Sequence, residues 1–205
     1  GEQGAQHSQA LHAWFAHVPG LRVVMPSTVA DARDLLIASV LCNDPVMYID
    51  DRWLYDQEDE LPPVVELNLT TQRPMVSITG GDITIVASGH ASLLAREAAQ
   101  QLENENVSVE VVDVRVLNPF HAEEIIESVK KTKNLLVVDS GWISGGFSAE
   151  VIAKVVEQLP VDCLSNPPVR VALPDAPAPT SRVLEKAYYT STDDVVKAVK
   201  KILNS

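Results

Sequence analysis

Ile83-Thr84-Ile85-Val86-Ala87 decides the fold. A continuous apolar run of this length predicts a strand buried on both faces, as a parallel sheet requires. Residues 90–105 follow with Leu94, Ala98 and Leu102 on one stripe, which predicts a helix. Beyond them the pattern keeps alternating: strand at 107–114, helix at 121–131, strand at 134–139. Gly145-Gly146 then opens a helix with Val151, Ile152, Val155, Val156 and Leu159 on its inner face. A short strand at 169–173 follows Pro167-Pro168. The chain closes on an amphipathic helix at 191–203, capped by Ser191 with Asp194 and striped by Val195, Val199 and Ile202. Strand and helix in alternation predict an α/β fold, with a mainly parallel sheet covered by helices on both faces.

Upstream of that unit the periodicity fails. Residues 56–80 hold the acidic run Asp56-Gln57-Glu58-Asp59-Glu60, then Pro62-Pro63, Thr70-Thr71, Pro74 and Gly80-Gly81. Charge and turn formers without helical period read as a linker crossing the surface. The expected organisation is therefore an amino-terminal unit over 1–60, a linker over 61–80 and a second unit over 81–205. In the first unit we expect a helix at 7–18, a strand at 22–25, a helix at 28–42 and a strand at 46–49. Thr28 with Asp31 supplies a capping-box start to the second helix. Two strands and two helices do not close a sheet of normal width, so residues 1–55 read as the last part of a larger α/β domain. The chain is expected to be a piece of a longer protein.

His7 stands out in that first unit. It is expected in the first turn of a helix whose buried stripe is Ala10, Leu11, Trp14, Phe15 and Val18, closed by Pro19-Gly20. A helix amino terminus disfavours imidazolium, so a histidine there is available to exchange a proton near neutrality. Taken alone, a histidine more often caps or packs. His12, His17, His90 and His121 show no metal-cluster spacing, and His17 is expected to satisfy backbone groups at the helix end.

Composition narrows the classes. Of 205 residues, 46% are hydrophobic and 21% charged, enough for a core and unlike a disordered chain. A formal net charge of −12 argues against a nucleic-acid partner. The apolar runs are far short of a membrane span and no signal-peptide pattern is visible, so a cytoplasmic location is expected. Two cysteines, Cys42 and Cys163, indicate neither a disulfide framework nor a metal site. Gly141-Trp142-Ile143-Ser144-Gly145-Gly146 matches no phosphate-binding fingerprint and is read as a tight turn, with Trp142 in a subunit or active-site contact. Asp139 and Glu150 read as surface or interface acids rather than a catalytic pair. Lys130, Lys131 and Lys133 read as a solvated helix terminus.

Several ordered motifs carry more. Gly1-Glu2-Gln3-Gly4-Ala5-Gln6-His7-Ser8-Gln9 and residues 14–27, Asp44-Pro45-Val46, Leu54-Tyr55 and residues 113–119 come first. Ser128–Thr132, Gly141-Trp142, Ala149-Glu150 and Asp175-Ala176-Pro177-Ala178-Pro179 follow. Together they resemble the beta subunit of thiamine-diphosphate-dependent 2-oxo acid dehydrogenases, over essentially the whole chain. The resemblance implies a remnant of a transketolase-like pyrimidine-binding domain followed by a transketolase C-terminal-type domain. It implies oxidative decarboxylation of a 2-oxo acid with acyl transfer to a lipoyl carrier. It also implies an assembly with an alpha subunit, a second beta subunit and a lipoyl-bearing acyltransferase, in the mitochondrial matrix or a plastid if the source is eukaryotic.

Of that family's catalytic set, only the histidine of the Gly-Ala-Gln-His-Ser-Gln motif maps here, onto His7. The cofactor-binding glutamate belongs upstream and has no matching position. The Gly-Asp-Gly plus Asn pattern that binds magnesium and the diphosphate in the alpha partner is not in this sequence. The 205 residues alone are therefore expected to be inactive and to bind no cofactor. Some relatives hold a structural potassium ion near the region matching Ser39–Asp44, through backbone oxygens. Asp50-Asp51-Arg52 departs from the family, which usually carries Glu followed by His or Asn at the first two positions. Arg52 is a candidate for an anionic substrate group, or forms a surface ion pair with the adjoining acids. A split transketolase, a deoxyxylulose-phosphate synthase half and a non-catalytic assembly module stand as alternatives.

Overall fold

In the computed structural model, which describes residues 3–204, the chain opens with helices α1 (Gly4–His7) and α2 (His12–Ala16). Strand β1 (Arg22–Val24), helix α3 (Val29–Leu41), strand β2 (Val46–Tyr48) and a 3-10 turn (Arg52–Leu54) follow. Next come β3 (Met75–Ile78), β4 (Ile83–Ala87), α4 (His90–Glu103), β5 (Val109–Asp113), β6 (Val116–Asn118) and α5 (Glu123–Thr132). The last elements are β7 (Leu135–Trp142), α6 (Phe147–Val156), β8 (Val169–Leu173), α7 (Arg182–Tyr188) and α8 (Thr192–Leu203). Gly1 and Glu2, which begin the amino-terminal motif, lie outside the described residues.

The larger sheet has the order β3-β5-β4-β7-β8. Its last four strands run parallel, and β3 closes one edge antiparallel to β5. Every residue of β4 is buried. Ile83, Ile85 and Ala87 pack with α4 and α8, while Val86 packs on the opposite side with α5 and α6. The unbroken apolar run is thus a strand with helices on both faces. Thr84 is the polar exception, and its hydroxyl is satisfied by Ser128 Oγ at 2.6 Å and Thr132 Oγ1 at 2.7 Å. The final helix forms as expected: Ser191 and Asp194 make a reciprocal capping box, and Val195, Val199 and Ile202 are buried.

The smaller sheet has the order β2-β1-β6. Here β1 and β2 are parallel, and β6, from the carboxy-terminal part of the chain, joins antiparallel to β1. Buried polar contacts reinforce the join. Arg115 Nη1 donates to Asp31 Oδ1 at 3.0 Å, Ser27 donates to Asp113, and Arg96 donates to Ser27 Oγ at 2.9 Å and to its carbonyl at 3.1 Å.

Four expectations need correction. The helix expected at 7–18 is two short helices with a break at residues 8–11, and its stripe is displaced: Trp14 is 67% exposed, whereas His12 is buried. The segment expected as a linker ends in β3, which pairs with β5. The strand expected at 107–114 is β5, but β6 is an unexpected addition: Arg115 takes φ +58°, turning the chain out of the larger sheet and starting a separate strand. On α6, Val151 and Val155 are buried but Val156 is exposed.

Candidate active site

One cavity of about 380 Å³ gathers the chemistry-bearing residues. It lies at the carboxyl ends of both sheets. Met25 follows β1, Ile49 and Asp50 follow β2, His90 follows β4, Asp139 and Ser140 lie in the carboxyl half of β7, and Leu173 ends β8. Between β4 and β7 the strand order reverses, since β4 leads to β5 on one side and β5 leads back to β7 on the other. Open α/β sheets form ligand crevices at such switch points.

His7 and Arg52 both line this cavity. His7 is not in the first turn of a long helix; it is the last residue of the four-residue α1. Its ring therefore stands at the carboxyl end of a helix and not beside free amino-terminal N–H groups. Tertiary contacts of Gln3, Gly4, Ser8 and Gln9 hold the backbone on either side of His7. Gly4 adopts φ +64°, and a Cβ on it would lie 2.8 Å from Thr180 Oγ1. Arg52 opens the 3-10 turn capped by Asp51, and its Nη1 donates to Gln3 Oε1 at 3.4 Å. Its guanidinium is exposed at the cavity mouth.

One lining residue, Asp139, belongs to a buried pair. His12 Nε2 is 2.9 Å from Asp139 Oδ1. The same carboxylate accepts from Gly141 N and Ser148 N, each at 2.8 Å. Burial opposes ionisation of Asp139, but the bonds from His12, Gly141 and Ser148 prevail and hold its carboxyl below the usual carboxylate range. This geometry explains the glycines of the 141–146 turn. A Cβ on Gly146 would lie 2.2 Å from Trp142 O, and one on Gly141 would lie 3.2 Å from Asp139 Oδ1. Asp139 is therefore a buried structural acid rather than a surface one, and Glu150 is exposed and makes no pair with it. Trp142 contacts its own chain: its indole N–H donates to Ala176 O at 2.9 Å and lies 3.0 Å from Tyr188 Oη. At the end of α2 the Asn118 amide, not the His17 ring, reaches the Ala16 and Val18 carbonyls, at 3.1 Å each.

His90, Trp53 and Tyr189 complete the cavity wall. The Trp53 ring meets His90 edge-on at 4.7 Å and Tyr189 at 5.2 Å. Burial lowers the His90 pKa, against the opposing pull of Asp51 and Glu97. Gly89 precedes it at φ +53°, where a Cβ would lie 2.6 Å from Met25 Cε. Metal spacing does not find these residues. His90 had a usable signal, its place directly after the first buried parallel strand, where the carboxyl-end rule puts ligand contacts.

The donor set does not fit a magnesium–diphosphate group. Asp50, Asp51 and Asp139 line the cavity beside a single guanidinium, and such carboxylates oppose a polyanion. Among the described residues no group of three His, Cys, Asp or Glu side chains could hold a metal ion. No helix of the described residues is long and apolar enough to cross a membrane.

Comparisons with known proteins now bear on this site. Residues 75–195 match the family described as transketolase, C-terminal domain, and residues 1–57 match transketolase, pyrimidine binding domain. The chain is 37% identical over 198 residues to the pyruvate dehydrogenase E1 component subunit beta of Rhizobium meliloti, covering 97% of this chain and 43% of that protein. The mitochondrial subunits of the same name from Caenorhabditis elegans and Homo sapiens are 39% and 34% identical over 203 residues, covering 98% of this chain and 58% and 56% of theirs. The chain thus spans about half the length of these relatives. A solved structure titled split gene transketolase, inactive beta4 tetramer, superposes with a TM-score of 0.74 at 28% identity, covering 94% of this chain and 60% of that one.

Proposed function

We propose, for a chain that belongs to the transketolase family through its C-terminal domain, that it forms part of the beta subunit of a thiamine-diphosphate-dependent 2-oxo acid dehydrogenase. The whole enzyme decarboxylates a 2-oxo acid and passes the acyl group to a lipoyl carrier. The observation that carries this reading is a convergence. Identity of 34–39% to pyruvate dehydrogenase beta subunits runs along nearly the whole chain. His7, in the amino-terminal motif that carries the family resemblance, lines the same cavity as Arg52 at the carboxyl ends of both sheets.

In this reading His7 exchanges a proton with the lipoyl sulfur during acyl transfer, and Arg52 meets the substrate carboxylate through its planar fork. The acid-lined wall leaves the magnesium–diphosphate end to an alpha subunit, so the 205 residues alone turn nothing over. A second beta subunit and a lipoyl-bearing acyltransferase complete the assembly, in the cytoplasm or, for a eukaryotic source, the mitochondrial matrix or a plastid. A structural potassium ion near Ser39–Asp44 belongs to the same proposal, as does a division into units at 1–60 and 81–205, with the end of the segment between them adding β3 to the second unit's sheet.

The second reading is a split transketolase half or an assembly module, favoured by the likeness to the inactive beta4 tetramer. One experiment separates them. The full-length protein is combined with its alpha partner and offered 2-oxo acids and ketose phosphates, with an artificial electron acceptor for the former. Decarboxylation of a 2-oxo acid supports the dehydrogenase, ketose cleavage supports the transketolase, and neither supports the assembly module.

A further inference from the structure

We propose that Tyr189 is a positioning residue for His7, acting from the carboxy-terminal part of the chain through the Ser8 carbonyl. The role of His7 is that of the reading above; the placement of Tyr189 stands on geometry.

Helix α1 has four residues and no side-chain bond at its amino-terminal cap, too little to hold itself in place. Its position comes from residues 178–189. Tyr189 Oη donates to Ser8 O at 2.6 Å, one residue after His7. Ala178 N donates to Gln9 Oε1 at 3.1 Å, and Thr180 abuts Gly4. The phenol is itself held. Its ring meets Trp53 at 5.2 Å and Tyr188 at 5.0 Å, both edge-on, and Tyr188 Oη donates to Ala176 O at 2.7 Å. Burial also raises the Tyr189 pKa, which keeps the hydroxyl a donor at working pH. The bond holds the backbone of the residue that follows His7, and a small displacement of a proton-handling group is costly to rate.

The test uses Tyr189→Phe, which keeps the ring contacts and removes the donor. Hydrogen–deuterium exchange on the 205-residue chain reads the anchor whatever reaction the enzyme performs. Residues 4–9 should exchange about tenfold faster, the range one lost hydrogen bond gives, with residues 83–113 unchanged. In the assembled enzyme, acyl transfer to a lipoyl domain should fall about tenfold in kcat, with KM and melting temperature held. In a His7→Ala background the same substitution should cost nothing further. Unchanged exchange at 4–9 overturns the proposal, as does an equal loss of kcat with and without His7, or a loss that only follows a lowered melting temperature. An assembled wild type that turns over no 2-oxo acid defeats the functional reading instead, and leaves the exchange result to decide the anchor.

Discussion

His12 Nε2 and Asp139 Oδ1 lie 2.9 Å apart, both almost fully buried, and join α2 to the end of β7 across 127 residues of sequence. The carboxylate takes three donors, so its charge is well solvated by the protein, and the pair fixes the amino-terminal helices on the larger sheet. Asp139→Asn should destabilise the chain by about 2–4 kcal/mol, because its amide NH₂ must oppose one of the donors. The sign with pH follows from a depressed folded pKa: the stabilisation is present above the ordinary carboxylate range and is lost as pH falls through the lower folded value. Urea unfolding of both proteins across acidic pH measures the difference, which should shrink toward the acid end.

Asp113 titrates in the opposite sense. It is fully buried and its pKa is pushed up to about 6 by burial, despite the bond from Ser27 and the Arg96 charge. A raised folded pKa favours the protonated form, so stability from this group is complete below about pH 4 and is lost as pH rises through about 6. Asp113→Asn should remove that slope. Unfolding free energies at closely spaced pH values between those limits would reveal it, and an unchanged slope would place the titration elsewhere.

The glycine pair of the 141–146 turn should separate by mechanism. Gly145 has φ +66° with open space around a Cβ, so Gly145→Ala should cost about 1 kcal/mol of backbone strain. At Gly146 the Cβ meets a backbone oxygen at 2.2 Å, so the turn must move. Gly146→Ala should cost several-fold more, about 3 kcal/mol or above. Thermal unfolding of the two variants gives the ranking.

Arg52 can be tested as a substrate contact in the assembled enzyme. Loss of a hydrogen bond to a charged group, about 1.5–3 kcal/mol, predicts that Arg52→Ala raises the KM for the 2-oxo acid about ten- to a hundredfold. Arg52→Lys should recover only part, since an ammonium lacks the planar fork. Steady-state kinetics decide, and an unchanged KM would leave Arg52 as a cavity-rim side chain.

The parallel core was legible because its signal is local: β4 reads as an unbroken apolar run, and α8 carries its own cap and stripe. What stayed hidden depends on distant partners. β3 is a strand because β5 offers it an edge, and residues 75–78 carry little of that information themselves. β6 follows β5 after only two residues, and nothing local announces that Arg115 turns left-handed between them. The break after α1 has a similar cause, because Ser8 O and Gln9 Oε1 are engaged by Tyr189 and Ala178 from the far end of the chain. The amino-terminal motif singled out His7 and the Asp50-Asp51-Arg52 departure singled out Arg52, and both line the cavity. His90, Trp53 and Tyr189 carry no motif, and topology alone brings them to the same wall.

Mass spectrometry of a lipoyl domain shows whether the His7 cavity delivers an acyl group to a lipoyl carrier, as proposed. The domain is incubated with the assembled enzyme and a 2-oxo acid. The wild type should add one acyl mass to the lipoyl group. His7→Ala, whose exposed side chain carries little of the fold, should slow that addition about a hundredfold or more, and His7→Gln should not restore it, since an amide exchanges no proton near neutrality. Acylation at the wild-type rate by His7→Ala would remove His7 from the transfer step, and no acylation by the wild type with any 2-oxo acid would rule out the dehydrogenase.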